Sequence, residues 1–582
     1  MKILLAKTAG FCMGVRRAVE MSMDTPRQHT NQICTYGPLI HNAQVLDLLQ
    51  QKGICIINEI PARGIGTVLI RAHGIPPTTK QNLKDAGFQV ADATCPRVIK
   101  VQTIIRKHAK KDFASIIIGD KDHPEVAGLL GYAGDRGYVV GDLKEFKELP
   151  AFEKAIVVAQ TTQNTGLFDS VKVWVGRNFP HYKIFDTICD STERRQAEVK
   201  RLADSVDAII VVGDRNSGNT RRLVTIAEQT GKPTYHIETE KDLATVDTHA
   251  LASAQHIGIT AGASTPNWIT KRVYRALEAL PYKGGWGWRS AFFKIQRVLL
   301  LTNIYVSFGA GCLSYACTKL MGINQYFQHF VIAILYVQSM HIFNHLTGKK
   351  ADQYNEPDRA SFYDKHKIFL SILAFIAGGI GLTIAYTIGQ IPFLVLLVMS
   401  MLGLSYNIQV IPQRLAIVRY RRIRDIPGSK TLLIAMAWGV VTALFPALVI
   451  FGNINLSAAL VFLWSTGMVF VRTAFFDTLD MQGDRIVGSE TIPILLGEKR
   501  TMRLLKSIIA FTLAIILLTS VLDIISDLGF VLSICPIFLF LVIVVYEKGY
   551  LLPGIRLEFL VESLFVLAGS MTFLWSVFQT SL

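Results

Sequence analysis

Three cysteines, far apart in the 582-residue chain, share one setting: each ends an apolar run and opens a helix-like one. Cys12 sits in LLAKTAGFCMGVRRAVE, Cys95 in FQVADATCPRVIKVQ and Cys189 in YKIFDTICDSTERRQAEV. A cysteine at a helix N-terminus is expected to have a lowered pKa and to ligate as the thiolate. Three such thiolates meeting at one point can hold three irons of a [4Fe–4S] cluster and leave the fourth iron open to substrate. Three thiolates plus a water would also suit zinc, and three unrelated core cysteines would look the same in sequence. The cysteines by themselves leave these readings open.

The other polar residues that follow apolar runs are of a kind that binds anions. His41 lies in GPLIHN, His73 in RAHGIP and His123 in GDKDHPEVAG; Ser217 and Asn219 lie in GDRNSGNT, and Ser264 in TAGAST. Imidazoles, hydroxyls, amides and helix N-termini can cradle a diphosphate without fixed cations. Glu125, two residues after His123, is a candidate proton carrier, because a carboxyl in a closed pocket has its pKa raised toward neutrality. In the second half, Asp477, Asp480 and Asp484 in FFDTLDMQGDRIVGSETIPILLG fall on one face if a helix continues through them. A second acidic cluster lies in NHLTGKKADQYNEPDR at 344–359. Carboxylates on one face can hold Mg²⁺ and with it a prenyl diphosphate; solvated loops would give the same composition.

The elements that must position these residues differ between the halves. Up to about residue 285, short β-branched runs alternate with amphipathic stretches. Candidate strands are MKILLA, TVLIRAHG, FASIIIGD, KAIVVAQT, AIIVVGD and HIGITAGA. That alternation implies an α/β architecture with parallel sheets, whose ligands sit at the carboxyl ends of strands. From about residue 295 the chain offers nine apolar segments long enough to span a bilayer, near 298–320, 327–346, 367–388, 391–410, 431–451, 457–476, 504–523, 528–546 and 557–579. The join PYKGGWGWRS at 281–290 reads equally as a membrane-interface segment or as a linker.

Much of the net charge of +16 lies in loops between apolar segments, among them Arg414, Arg419, Arg421, Arg422 and Arg424. Such loops mark the cytoplasmic side of a multi-pass membrane protein. No aromatic-basic motif in the first half suggests nucleic acid. The opening MKILLAK has too short an apolar stretch for a secretory signal, so the first half is expected in the reducing cytoplasm with free thiols. Cys34 and Cys55 are read as structural, and Cys312, Cys317 and Cys535 as packing residues.

Over about residues 1–280 the segments GFCMGV, HN at 41–42, AHG at 72–74, DATCP, HPEV, QTT at 160–162, DTIC, NSGN and TAGAS occur in an order that resembles the IspH (LytB) family of 4-hydroxy-3-methylbut-2-enyl diphosphate reductases. The resemblance implies three α/β units around a central [4Fe–4S] cluster held by Cys12, Cys95 and Cys189. It implies two-electron, two-proton removal of an allylic hydroxyl as water, giving isopentenyl and dimethylallyl diphosphate. Glu125 would donate the proton and Thr161 would position the hydroxyl end. His41, His73, Ser217, Asn219 and Ser264 would bind the diphosphate, and His123 would contact the substrate beside Glu125. Gly218 stands where many members carry a second serine, so its backbone N–H would have to serve there. No flavin or NAD fingerprint is visible, so the electrons would come from a ferredoxin or flavodoxin.

Over about residues 295–580 the chain resembles the UbiA superfamily of intramembrane prenyltransferases, through DTLDMQGDRIVGSETIPILLG, SYNIQVIPQRL and RIRDIPGSKTL. That resemblance implies nine helices around a lipid-facing cavity, Mg²⁺ at Asn344, Asp352, Asp477, Asp480 and Asp484, and transfer of a prenyl group to a lipophilic acceptor. The first motif of the family, N-x-x-x-D-x-x-x-D, reads Asn344, Gly348, Asp352 here, with Asn355, Glu356 and Asp358 close enough in sequence to compensate. The expected architecture is therefore an α/β three-unit pseudo-threefold soluble domain at 1–280, a linker at 281–294, and an all-α nine-helix transmembrane domain at 295–582. The expected protein is a bifunctional isoprenoid enzyme of the inner (cytoplasmic) membrane, with its N-terminal domain in the cytoplasm. A reductase on a degenerate membrane anchor, and a scaffold with both sites inactive, are the alternatives.

Overall fold

In the computed structural model of the chain, the described residues are 2–28, 32–246, 251, 254–280, 288–406, 426–549 and 553–581. The chain divides into two compact units, Met1–Lys283 and Gly284–Leu582.

The described strands of the first unit are β1 (Lys2–Leu5), β2 (Ile33–Tyr36), β3 (Ile54–Ile57), β4 (Thr67–Ile70), β5 (Gln89–Asp92), β6 (Ala114–Ile118), β7 (Gly137–Val140), β8 (Ala155–Ala159), β9 (Lys183–Ile184), β10 (Ala208–Val212), β11 (Thr234–Ile237) and β12 (His256–Ala261). They form three four-stranded sheets of order β1-β12-β10-β11, β3-β2-β4-β5 and β7-β6-β8-β9. Neighbouring strands in each are parallel. Parallel pairs need crossover helices, and those helices cover both faces of a sheet. That is why β6, β8 and β10 are buried along their whole length and read as unbroken apolar runs. The first sheet is closed by both ends of the unit, since β1 pairs with β12. Three similar α/β units are thus present, as the recurring cysteines suggested.

One expectation about the thiols is corrected. Cys34 and Cys55 are register partners on β2 and β3 and are joined as a disulfide. Two cysteines directly opposite on neighbouring strands are close enough to bond, so these two are not free. Cys12, Cys95, Cys189, Cys312, Cys317 and Cys535 are free thiols.

The second unit is helical. Among the described residues, seven helices are long and apolar enough to cross a membrane: Phe327–Thr347, Lys367–Ile388, Ser429–Phe451, Leu456–Val487, Glu498–Val521, Leu528–Glu547 and Ile555–Gln579. A bent pair, Ala291–Leu301 and Ile304–Leu320, meets at 74° and could count as an eighth. The bend falls where Asn303 takes a left-handed backbone, φ 58. The segment expected near 391–410 is the shorter helix Gln390–Ser405. Nine full spans are therefore not found among the described residues. Ile368, Phe369, Ile372, Phe375 and Ile376 on one of these helices are exposed, a surface suited to lipid tails and not to water. The basic loop with Arg414, Arg419, Arg421, Arg422 and Arg424, most of SYNIQVIPQRL, and residues 281–287 of the join lie outside the described residues.

Candidate functional site

The three free thiols of the first unit open three helices. Cys95 is the N-cap of Pro96–Ala109 and Cys189 the N-cap of Asp190–Ala203. Cys12 immediately precedes Met13–Gln28, and its N–H donates to Ala263 O at 3.1 Å, just past the end of β12. A side-chain carbon placed on Gly14 would fall 2.4 Å from Cys95 Sγ, so the Cys12 helix approaches Cys95 in a way only glycine allows. Burial, eased by the Arg97 N–H, and then the charges of the Cys12 and Cys189 thiols push the Cys95 pKa up. The sequence suggested a lowered pKa at this helix N-terminus; for the bare thiol, burial outweighs the helix. Three half-buried thiols that influence one another, behind a glycine cradle, are a donor set that suits a thiolate-bound iron–sulfur cluster.

The histidines converge as well. Their ring centroids are separated by 4.7 Å (His41–His73), 5.7 Å (His41–His123) and 5.4 Å (His73–His123). One nitrogen from each lies within 4.8 Å of the others, a spacing that would serve either a cation or an anion. The surroundings favour an anion. Arg71 and Arg221 act on His41 against Asp214, and Arg222 and Arg221 act on His123 against Asp120, so three arginines face two carboxylates around the rings. Burial is the largest cause that holds His73 well below its usual pKa, lowers His41 and brings His123 to about 4; the neighbouring imidazoles add to it at His73 and His123, and Asp214 opposes it at His41. The rings are therefore neutral at pH 7, each with an N–H to offer.

Ser217 caps the helix Gly218–Glu228, and Ser264 Oγ donates to Ser217 Oγ at 3.3 Å. Gly218 and Asn219 are buried in the first turn of that helix. His41 Nε2, His73 Nδ1 and Asn219 Nδ2 are buried with no hydrogen-bond partner among the described residues. Buried polar atoms left unpaired are costly, and here they mark a place where ligand oxygens would satisfy them.

Glu125 stands beside this cradle, 1 % exposed. Its carboxylate accepts from Thr161 N at 2.6 Å and from Thr161 Oγ1 at 2.9 Å, and its own N–H donates to His123 Nδ1 at 3.1 Å. Burial raises its pKa to about 7 against the Thr161 hydrogen bonds, which pull it down. Cys189 N donates to Thr161 O at 2.9 Å, so one short loop ties Glu125 to a cysteine helix.

Two arginines escaped the sequence reading because each sits in a pair that looks like a solvated charge run, Arg194–Arg195 and Arg221–Arg222. Arg222 Nη2 donates to Asp120 Oδ2 at 2.8 Å, Nε to Gln163 Oε1 at 3.0 Å and Nη1 to Thr162 Oγ1 at 3.4 Å. Arg195 is buried. Its signal was helical spacing, since Thr192, Arg195, Val199 and Leu202 form one buried face.

In the second unit the acidic motifs meet. Asp477, Asp480 and Asp484 lie on the 32-residue helix Leu456–Val487. Asp352 lies on Lys349–Asn355 and Asn344 in the last turn of Phe327–Thr347. Asn355 Nδ2 donates to Asp484 Oδ1 at 2.9 Å, while Asp484 Oδ2 is buried without a partner among the described residues. The approach depends on Gly483, where any Cβ would sit 1.8 Å from Asn355 Oδ1. Lys430 Nζ lies 3.2 Å from Asp477 and also in the field of Asp484, Asp480 and Asp352. Thr431 Oγ1 donates to Asp477 at 2.5 Å, and His345 holds Asp352 at 2.7 Å. Of the three residues expected to compensate for Gly348, Asn355 joins the two motifs, whereas Glu356 pairs with Arg359 and Asp358 with Arg297.

Residues 3–278 match the family model described as LytB protein, and residues 305–549 match the UbiA prenyltransferase family. A 4-hydroxy-3-methylbut-2-enyl diphosphate reductase of Opitutus terrae is 40% identical over 292 residues, covering 48% of this chain and 100% of the relative. The enzyme of the same name from Oleidesulfovibrio alaskensis is 43% identical over 284 residues, again 48% and 100%. Among solved structures, the E-1-hydroxy-2-methyl-but-2-enyl-4-diphosphate reductase from Plasmodium falciparum aligns with a TM-score of 0.45 at 28% identity, over 47% of this chain and 86% of that one. A UbiA homolog from Aeropyrum pernix aligns with a TM-score of 0.37 at 14% identity, over 47% and 98%. Residues 305–549 of the second half match the UbiA prenyltransferase family model, and through its first half the chain belongs to the LytB family.

Proposed function

We propose that the first unit is a 4-hydroxy-3-methylbut-2-enyl diphosphate reductase, with Cys12, Cys95 and Cys189 as ligands of a [4Fe–4S] cluster. The bound cluster would supply the electrons, received from a ferredoxin or flavodoxin, and an open iron for the allylic hydroxyl. The chain's own residues do the rest. His41, His73, Ser217, Asn219 and Ser264 bind the diphosphate through N–H and O–H donors, and the Gly218 N–H donates from the helix N-terminus. His123 fixes the first turn of its helix and faces the substrate. Glu125, half protonated near neutrality, delivers the proton that lets hydroxide leave as water, and Thr161 orients that carboxyl.

The observation that carries this reading is the Glu125 carboxyl, buried and clasped by Thr161 beside three neutral imidazoles. The test is anaerobic purification with iron and sulfide analysis, followed by reductase assay of the wild type and of Glu125→Gln. A colourless protein carrying one zinc, or a Glu125→Gln variant with full turnover, would defeat it.

For the second unit we propose magnesium-dependent prenyl transfer from a prenyl diphosphate to a lipophilic acceptor, with Asp477, Asp480, Asp484 and Asp352 about the metal. The support is the unpaired Asp484 oxygen next to Asn355 and Lys430. The membrane would be the cytoplasmic one, with the first unit on its cytoplasmic side. A competing reading, a membrane anchor without catalysis, is favoured by Gly348 alone. Transfer of a labelled prenyl group that stops on removal of Mg²⁺ decides between them.

A further inference from the structure

Arg195 is 3 % exposed, six residues beyond Cys189 on the same helix. Its Nη1 donates to Ala261 O at 2.9 Å and its Nη2 to Gly10 O at 2.6 Å. These carbonyls belong to the end of β12 and to the loop that leads into Cys12. The guanidinium is therefore fixed behind two of the three thiols, and both Cys12 and Cys189 lie within range of its charge. Its Nε–H is buried and has no partner among the described residues. Glu198 acts on Arg195 through its charge, while its oxygens are occupied by Lys7 N, Thr8 N and Thr8 Oγ1 and leave the Nε–H unmet. A buried cation with an idle donor needs a compensating anion. Two backbone carbonyls supply no net charge; the negative charges that act on Arg195 are those of Cys12, Glu198 and Cys189, in that order.

On the reading that the three thiols hold a cluster, we infer that Arg195 compensates the charge of the cluster and raises its reduction potential. Each reduction step adds one electron, delivered by an external one-electron carrier, and no bond to Arg195 forms or breaks. The added negative charge is stabilised by a fixed positive charge in a dry site, and net charge together with hydrogen bonds to sulfur are among the levers that set such potentials. Arg195 is thus a positioning and tuning residue that touches no substrate.

The test is an anaerobic redox titration of the full chain, read by the spectroscopic signal of the reduced cluster, for the wild type, Arg195→Gln and Arg195→Lys. Iron and sulfide are counted first. A wild type without iron refutes the cluster reading itself and is thereby distinguished from any result on Arg195. With iron present, Arg195→Gln at the wild-type midpoint should show at least a tenfold lower ratio of reduced to oxidised cluster, equal to about 59 mV for one electron. Arg195→Lys, which keeps the charge, should stay within threefold of the wild type. If Gln loses iron while Lys keeps both iron and potential, the charge role stands. If Gln keeps its iron at an unchanged ratio, or if both folded variants lose their iron, Arg195 is only a clamp on two loops and the inference is overturned.

Discussion

Glu125 illustrates how one side chain can be read twice, once for catalysis and once for stability. Its pKa is raised by burial from 4.5 to about 7. The folded state therefore prefers the protonated carboxyl. That preference stabilises the fold fully below about pH 4.5 and is lost as pH rises through about 7, a change on the order of 3 kcal/mol. Glu125→Gln cannot ionise and should escape the loss. Metal-free wild type and variant melted at pH 5 and at pH 8 should therefore diverge, with the variant gaining on the wild type at the higher pH. An equal gap at both pH values would contradict a buried, titrating Glu125. Turnover should fall roughly a hundred- to ten-thousand-fold in the same variant, the usual worth of a positioned general acid, with substrate binding retained.

At the scale of elements, the loops after the strands act through contacts that cross from one sheet to another within the first unit. Arg222 leaves the helix that begins at Gly218 and holds Asp120, Thr162 and Gln163, which belong to the loops flanking Glu125. Its positive charge lowers the Glu125 pKa, and Asp120 raises it. Removing the two charges should therefore move the alkaline limb of the pH–rate profile in opposite directions. Arg222→Gln should shift it to higher pH and Asp120→Asn to lower pH. Parallel shifts would show that the network acts only by packing. Gly14→Ala tests another element contact: its new Cβ would fall 2.4 Å from Cys95 Sγ, and the variant should bind little or no iron while keeping its sheets.

The same scale explains what could be read from sequence. The strands β4, β6, β8, β10 and β12 are central in their sheets, buried on both faces, and announce themselves as apolar runs. β3, β5, β7 and β11 are edge strands with mixed burial, and central β2 reads ICTY where β4, of the same length, reads the more apolar TVLI. The cysteines and histidines were legible because post-strand loops hold few other polar residues of that kind. Asp120, Arg195 and Arg222 were not, since a charged residue in a charged run shows its partners only in three dimensions. The Cys34–Cys55 link likewise depends on which strands become neighbours.

For the molecule as a whole, each half draws its candidate site from its own residues. Asp484→Asn should therefore stop Mg²⁺-dependent prenyl transfer while leaving the reductase rate of the same protein unchanged, and a joint loss would point to coupling or misfolding. Gly348 gives a sharper test of the membrane half. The resemblance alone suggests that Gly348→Asp would repair an incomplete metal motif and speed transfer. The backbone argues otherwise. Gly348 N donates to Asn344 O at 2.7 Å, and a Cβ on residue 348 would lie 2.8 Å from that same oxygen. The turn would have to open before a carboxylate could stand there, and opening it disturbs the helix that carries Asn344. With Lys430 already placed among Asp477, Asp484, Asp480 and Asp352, a fixed cation occupies part of the field that a further metal would need. Gly348→Asp should therefore give no gain in rate and no steeper dependence on Mg²⁺ concentration, measured on the full chain in lipid. A several-fold gain with a steeper Mg²⁺ curve would mean that the turn yields easily and that Lys430 does not take the place of a metal ion.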